Sequence, residues 1–358
     1  MPISALDCIT LAFEHTKRQL FRPFRFGQWA RLAFVGLLAG ELGSGGNFNA
    51  PSGGNQPTNI PALGDIFHKI DPAILASLIT VVVITGIVLM VVMAYISSVM
   101  RFILFDGVLT RECRIRAGWS RRQENGWKYF LWQLGLLFAT LAGAVVLIGG
   151  PAIFAFGMGW FQAPRAHVAQ LVVTGIIVLL IFVFFMIVVA LVHVLTKDFV
   201  VPQMAFEGIG AVESWRRLWP MIEAEFKGFA TYIGMKIVLT IVAGIAIGIV
   251  TVILALIVVV PLVGLIVAAV IAGKSAGLTW NVLTISAAVA AGLILIAILF
   301  FLVSLISVPV IVFFPAYSIY FFAARYRPLS LALYAPAQST VVPQGTPPPF
   351  SPPPLPAT

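Results

Sequence analysis

The 358-residue chain is 60% hydrophobic and only 10% charged, whereas a typical soluble domain carries about 25% charged residues. This composition excludes an ordinary globular fold and predicts an all-α, polytopic membrane helix bundle. The formal net charge of +9 fits basic residues at the ends of membrane spans better than nucleic-acid binding. We therefore expect the lipid bilayer, and no nucleic acid, as a partner.

The N-terminal segment, residues 1–28, is predicted to be an amphipathic interfacial helix on the cytoplasmic side. Ser4 and Asp7 stand at the spacing of a helix start. One helical face collects apolar residues, namely Leu6, Ile9, Phe13 and Leu20. The segment lacks the uninterrupted apolar region and small-residue cleavage site of a secretory signal.

Six apolar runs follow, and they predict six transmembrane helices in a domain over residues 29–326. The predicted spans are residues 29–42, 73–100, 129–149, 168–195, 229–260 and 282–308. The first run is the weakest, because it is shorter than the roughly 20 residues that a spanning helix needs. Arg31 and Glu41 also interrupt it.

The fifth run has an open alternative, because apolar residues continue past Pro261. Proline inside a helix kinks or breaks it. Residues 261–272 are therefore compatible with a re-entrant piece, an outer-surface helix or a further crossing. A further crossing would place Arg325 and Arg327 outside the cell, so the sequence favours the first two.

Basic residues are distributed unequally between the two predicted sides. Eighteen of the 22 lysines and arginines fall in the N-terminal segment, the second-to-third and fourth-to-fifth connections and the C-terminal segment. Three, Lys69, Arg165 and Lys274, fall in the opposite connections. Because cytoplasmic loops are enriched in lysine and arginine, this asymmetry predicts that both termini are cytoplasmic in a cell inner (plasma) membrane.

The cytoplasmic connections also show amphipathic helical patterns rich in tryptophan, as in Trp215 and Trp219. Apolar aromatic faces with basic edges are typical of interfacial helices. Four arginines are candidate contacts for lipid headgroups: Arg121, Arg122, Arg216 and Arg217. Two interpretations remain open. The helices anchor the spans, or they recognise anionic lipid, a membrane-protein partner or a second copy of the chain.

Polar residues inside membrane spans are costly and are therefore functional candidates. The three candidates are Glu41 at the outer end of the first span, His193 near the inner end of the fourth, and Lys236 in the fifth. Lys236 is expected to extend its amine to the cytoplasmic headgroups. We find no catalytic triad, metal-binding helix or phosphate-binding loop in the sequence. We therefore expect no enzyme, metal or cofactor.

The C-terminal segment, residues 327–358, is predicted to be a disordered cytoplasmic tail. It contains the proline runs 347–349 and 352–354. Such a composition favours extended backbone without a packed core. A docking site for a proline-binding partner is the open alternative.

Two motifs carry a resemblance to known proteins. They are Asp198-Phe-Val-Val-Pro202 before the fifth span and Phe24-x-Phe-x-x-x-Trp29-x-x-Leu32 before the first. With them the chain resembles uncharacterised bacterial six-span membrane proteins near the membrane domain of glycerophosphoryl diester phosphodiesterases. The resemblance implies a six-helix architecture in a bacterial inner membrane. It brings no catalytic residues, because the phosphodiester chemistry of that group resides in a separate soluble barrel.

The leading functional hypothesis is a non-enzymatic membrane protein that organises lipid or a membrane partner through its cytoplasmic amphipathic helices. The alternative hypothesis is a transporter or channel for a small or lipidic solute, suggested by Glu41 and by the prolines in the last two spans.

Overall fold

The computed structural model describes residues 4–41, 72–275 and 282–334, and every regular element in these ranges is helical. The elements in chain order are α1 (Asp7–Phe21), α2 (Phe26–Leu38), α3 (Pro72–Thr110), α4 (Ile115–Gly157), α5 (Val168–Leu195), the π-helical turn Thr196–Val200, α6 (Val201–Glu207), α7 (Ala211–Ala224), α8 (Phe226–Ser275), α9 (Val282–Ala323) and α10 (Arg327–Tyr334).

Within the described ranges, five stretches of helix are long and apolar enough to cross a membrane. They are Ile79–Thr110, Ile115–Gly157, Val168–Glu207, Phe226–Val258 and Ala290–Ala323. A continuous helix of 28 residues, the length of α5, rises about 42 Å and exceeds the hydrocarbon thickness of about 30 Å. The all-α membrane bundle predicted from composition is confirmed.

The outer parts of these helices expose their apolar side chains on every face. No residue of α5 is buried, and the neighbouring Val145 and Val146 of α4 are 69% and 70% exposed. Such a surface would be very unfavourable in water, where contiguous apolar patches of this size are rare. It fits hydrocarbon, in which each helix satisfies its own backbone hydrogen bonds.

The packed core lies at one end of the bundle. We call this end the head; it contains α1, α2, α6, α7 and α10 together with the adjoining ends of α3, α4, α5, α8 and α9. Its centre is aromatic: Phe199 contacts Phe229, Tyr232, Phe321 and Phe322 with ring centroids 5.1–5.9 Å apart. Because α1 and α10 both belong to the head, the first and the last described residues of the chain lie at the same end of the bundle.

The first predicted span, residues 29–42, overlaps the short helix α2, which starts three residues earlier. Its 13 residues rise about 20 Å, two-thirds of the hydrocarbon thickness. It packs inside the head: Trp29 Nε1 donates to the Leu305 carbonyl at 2.8 Å, and Ser304 Oγ donates to the Ala33 carbonyl at 2.7 Å. The structure thus supports five spanning helices, and the sixth crossing stays a prediction.

A side chain on Gly36 would collide with the last long helix. A Cβ atom placed there would approach Ile311 Cγ2 to 2.5 Å. Real Cβ atoms do not come so close, so glycine is what allows α2 to lie against α9. This contact fixes α2 in the head.

Helix α1 packs in the head mainly through residues outside its predicted apolar face. Cys8, Ala12, His15 and Leu20 are buried, whereas Leu6 and Phe13 are exposed. The polar members of the buried face have partners on other helices. Gln19 Nε2 donates to the Gly107 carbonyl at 2.8 Å.

His15 joins α1 to both α3 and α9. Its Nε2 lies 2.9 Å from the Val108 carbonyl oxygen and its Nδ1 3.2 Å from the Tyr320 hydroxyl. A neutral imidazole meets both contacts by donating from Nε2 and accepting at Nδ1. Burial lowers the pKa of His15 and so favours this neutral form.

Proline does not interrupt the long helices. Residues 261–272 continue α8 through Pro261, and α9 continues through Pro309 and Pro315. Helices in membranes tolerate internal proline because neighbouring groups satisfy the freed backbone carbonyls.

The predicted C-terminal tail begins later than expected. Residues 327–334 form α10, with Leu329 buried in the head, so the boundary at residue 327 is a correction. The rest of the predicted tail, residues 335–358, lies outside the described residues.

Candidate functional site

Five charged residues meet where the head joins the lipid-exposed helices. We call Glu41, Arg101, Lys197, Asp198 and Lys236 the charge cluster. Lys197 forms an ion pair with Glu41, and Lys236 forms one with Asp198. Their side chains are buried or nearly so. Buried charges are expensive unless paired, so this arrangement is specific rather than incidental.

The π-helical turn Thr196–Val200 positions two members of the cluster. It follows α5 directly, and it presents neighbouring Lys197 and Asp198 to carboxylate and amine partners on different parts of the chain. Thr196 Oγ1 accepts a hydrogen bond from Trp215 Nε1 at 3.0 Å, which ties the turn to α7. Single π-turns inside long helices are frequent at functional sites.

Arg101 of α3 is held by two hydrogen bonds from its terminal nitrogens. Its Nη1 donates to the Tyr129 hydroxyl at 2.7 Å, and its Nη2 donates to the Ala39 carbonyl at 2.9 Å. Its Nε is buried without an acceptor among the described residues.

A cavity of about 920 Å³ opens beside the cluster between α4, α5 and α8. Its charged or strongly polar lining residues are Arg101, Gln133, His193, Lys197 and Lys236, and Thr140 and Thr240 add two hydroxyl groups. The remaining lining is mainly apolar and includes Leu136, Leu137, Met186, Ile187, Ile237 and Ile241. The cavity therefore combines a cationic end with hydrocarbon walls.

The two carboxylates of the cluster do not line the large cavity, whereas its three cations do. Glu41 and Asp198 line a separate void of about 30 Å³ on the far side of Arg101 and Lys197, room for about one water molecule. The large cavity thus meets three positive side chains directly. The three cations and two carboxylates of the cluster together have a net charge of one positive unit.

The structure brings together the three polar residues singled out in the sequence. Glu41 and Lys236 belong to the charge cluster, and His193 lines the cavity with its side chain exposed. Two expected placements are corrected. Glu41 is buried against Lys197 instead of marking the outer water boundary, and Lys236 is paired with Asp198 instead of reaching toward the headgroups.

Sequence reasoning counted Arg101 and Lys197 as ordinary flanking charges and used Asp198 only as part of a motif that carries the resemblance. A signal for Asp198 was available, since it is an acid beside Lys197 at the end of an apolar run, followed by Phe-Val-Val-Pro. Arg101 gave no such signal, because an arginine after a span normally indicates only a cytoplasmic end.

The four candidate headgroup arginines have different surroundings. Arg122 is buried, where its Nε and Nη2 each donate to Asp106 at 2.7 Å and its Nη1 donates to the Ala205 carbonyl at 2.6 Å. This placement corrects its predicted role as a lipid contact. Arg216 and Arg217 are exposed and share Glu213. Arg121 is exposed and has no ion-pair partner among the described residues.

The two cysteines are buried thiols of the head. Burial raises the pKa of both Cys8 and Cys113 to about 11. A thiol needs to ionise to act as a nucleophile or metal ligand, so neither is reactive at neutral pH. Within the described ranges, no three histidine, cysteine, aspartate or glutamate side chains lie close enough together to hold a metal ion.

Long lipid-exposed helices and a buried ionic cluster at their ends define a helical membrane protein. The chain belongs to a family of unknown function, DUF7544, which matches residues 3–332. No curated protein and no solved structure matches it. The resemblance to the membrane domain of glycerophosphoryl diester phosphodiesterases therefore stays a prediction.

Proposed function

We propose that this protein binds an anionic membrane lipid in the cavity between α4, α5 and α8. The observation that carries the proposal is the composition of the cavity wall: Arg101, Lys197 and Lys236 at one end and aliphatic side chains over the rest. An amphiphile with a negative headgroup and acyl chains matches both parts, because polar groups fix orientation and apolar walls supply most of the contact area.

The charges of the site favour a headgroup with one negative charge. The two carboxylates of the cluster offset two of its three cations, and one positive charge remains. Arg101, Lys197 and Lys236 line the cavity and supply charged donors for a phosphate oxygen, and hydrogen bonds to ionised groups contribute about 1.5–3 kcal/mol. A phosphodiester lipid meets both requirements, whereas a zwitterionic lipid brings an unneeded ammonium group.

The position of Arg101 along α3 suits the headgroup level. Residues before it, such as Met93, are exposed to lipid, while Phe102 to Phe105 are buried in the head. Arg101 therefore stands at the border between hydrocarbon and head. The excess of lysine and arginine on the head side supports assignment of this border to the cytoplasmic leaflet.

This proposal gives the lipid-organising hypothesis a specific place in the molecule. The protein holds one lipid with its headgroup against the head, without transforming it. The amphipathic helices act by building the head that presents the charge cluster. A transporter or channel remains the alternative prediction, and so does a membrane-protein partner.

A cavity-filling substitution tests the proposal without changing any charge. Ala190→Phe, which projects into the cavity from α5, is expected to lower the occupancy of phosphatidylglycerol at least tenfold in native mass spectrometry of the protein released from detergent. Ala246→Phe on the exposed face of α8 is the matched control and should bind as the unmodified protein does.

The charge requirement has its own test. Arg101→Gln should reduce the preference for phosphatidylglycerol over phosphatidylcholine by about tenfold, which corresponds to the loss of one charge-assisted hydrogen bond. Equal binding of both lipids by the unmodified protein would refute the proposal, as would full phosphatidylglycerol binding by Ala190→Phe.

A further inference from the structure

A second cavity lies at the tip of the head, at a distance from the charge cluster. It has a volume of about 370 Å³ and is formed by the start of α2 and the turn between α3 and α4. The residues that line it are Arg25, Gly27, Gln28, Arg31, Glu112, Cys113 and Arg114. Three guanidinium groups thus face one carboxylate.

The single carboxylate that lines this cavity already forms an ion pair. Glu112 accepts a hydrogen bond from Arg114 Nε at 3.0 Å, so this pair is neutral overall. Arg25 and Arg31 have no ion-pair partner among the described residues, and both are exposed. Arg31 also acts electrostatically on the buried Cys113 thiol at the cavity wall. The cavity therefore keeps an excess of two positive charges.

The start of α2 adds backbone donors to the same cavity. Arg25 precedes the helix, and no side chain caps this end. The first backbone bonds run from Gln28 N and Trp29 N to the Arg25 carbonyl, at 3.0 Å each, so the amides before Gln28 have no acceptor within the helix. The positive end of the helix dipole favours an anion here. Gly27 leaves open space, since a Cβ there would meet nothing within 4 Å.

We propose that this cavity binds a phosphate-bearing anion. Two unpaired guanidinium groups and free helix-terminal amides match a phosphate dianion in charge and in donor type. Arginine suits this task because its planar group bonds two phosphate oxygens at once. The proposal is independent of the lipid cavity, which lies at the opposite edge of the head.

The distance of this cavity from the bilayer favours an anion from the aqueous phase over a lipid headgroup. Arg111, at the end of α3 beside the cavity, lies ten residues beyond Arg101, which corresponds to about 15 Å of helix. The headgroup layer of one leaflet is only about 5–8 Å thick. The tip therefore extends past the phosphates of the surrounding bilayer.

Calorimetric titration of the purified full-length protein with inorganic phosphate and with pyrophosphate tests the proposal. We expect saturable binding of at least one of them, and a rise in Kd of at least tenfold in Arg25→Gln and in Arg31→Gln. Arg121→Gln removes an exposed arginine outside the cavity and should leave Kd unchanged. Ala190→Phe should also bind the anion normally, which separates this site from the lipid site.

A parallel titration with short-chain phosphatidic acid in neutral detergent distinguishes the source of the phosphate. Binding of the lipid alone, without binding of either inorganic anion, would overturn the aqueous-anion proposal. So would an equal weakening by Arg121→Gln, which would indicate general attraction to a basic surface.

Discussion

The ion pair between Lys236 and Asp198 allows a quantitative test of the charge cluster. The Asp198 residue is 3% exposed and Lys236 is 8% exposed. Removal of one member of a buried pair typically costs about 3–5 kcal/mol, because the other charge remains buried without compensation. In Lys236→Met, Asp198 keeps the hydrogen bond from the Tyr232 hydroxyl at 3.0 Å. We therefore expect a cost near the lower end, about 3 kcal/mol.

The double variant distinguishes a lost ion pair from lost packing. When Asp198→Asn accompanies Lys236→Met, no charge remains unpaired, and the combined cost should fall to about 1 kcal/mol or less. The difference between the double variant and the sum of the single variants gives the interaction energy of the pair. Reversible unfolding in mixed micelles of dodecyl maltoside and sodium dodecyl sulfate provides the free energies.

Lys227→Met is the matched control, since Lys227 lies near the start of the same helix α8 and is exposed. It should change the unfolding free energy by less than about 0.5 kcal/mol. A Lys236→Met variant as stable as this control would refute the assignment of a buried ion pair. Additive effects of the two single substitutions in the double variant would do the same.

Three further results are expected from the same unfolding assay. Arg122→Gln should destabilise by about 2–3 kcal/mol, because its carboxylate partner Asp106 on α3, whose side chain is only 21% exposed, loses its counter-charge, while Arg121→Gln should have no measurable effect. Gly126→Ala should cost about 1–3 kcal/mol, since its new methyl group would lie 2.5 Å from an atom of α3, whereas Gly135→Ala, with nothing within 4 Å, should be neutral or stabilising. Because burial lowers the pKa of His15 in the folded protein, unfolding takes up a proton below about pH 6.5. Stability should therefore fall from pH 7.5 to pH 5.5, and His15→Gln should reduce that fall; an unchanged pH dependence would contradict the buried neutral imidazole.

The long helices were predictable because their signal is local. The apolar run at residues 168–195 coincides with α5, and the run from residue 73 begins one residue after α3 does. Continuous apolar sequence over such a length is compatible only with a helix in hydrocarbon. The same reasoning does not decide the case of α2, since a short apolar helix has the same sequence pattern whether it faces lipid or packs in the head.

The candidate site was only partly predictable because its partners are remote in sequence. Glu41 and Lys197 are 156 positions apart, and Asp198 and Lys236 are 38 apart. Local patterns identify each polar residue but cannot match it with its partner. The face by which α1 packs in the head was not predictable for a related reason: His15 and Gln19 are polar, and only their distant acceptors make burial favourable.

Because α1 and α2 pack against α9, the head can finish folding only after α9 has been synthesised. His15 and Tyr320 are separated by 305 positions, and Trp29 and Leu305 by 276. The earliest helices to leave the ribosome can contact α3 before then, but the part of their surface that packs on α9 stays uncovered until the last long helix is made. Such late closure makes nascent chains vulnerable to proteases and aggregation. A truncation before residue 305 should consequently be degraded, even though four of the five long helices are intact.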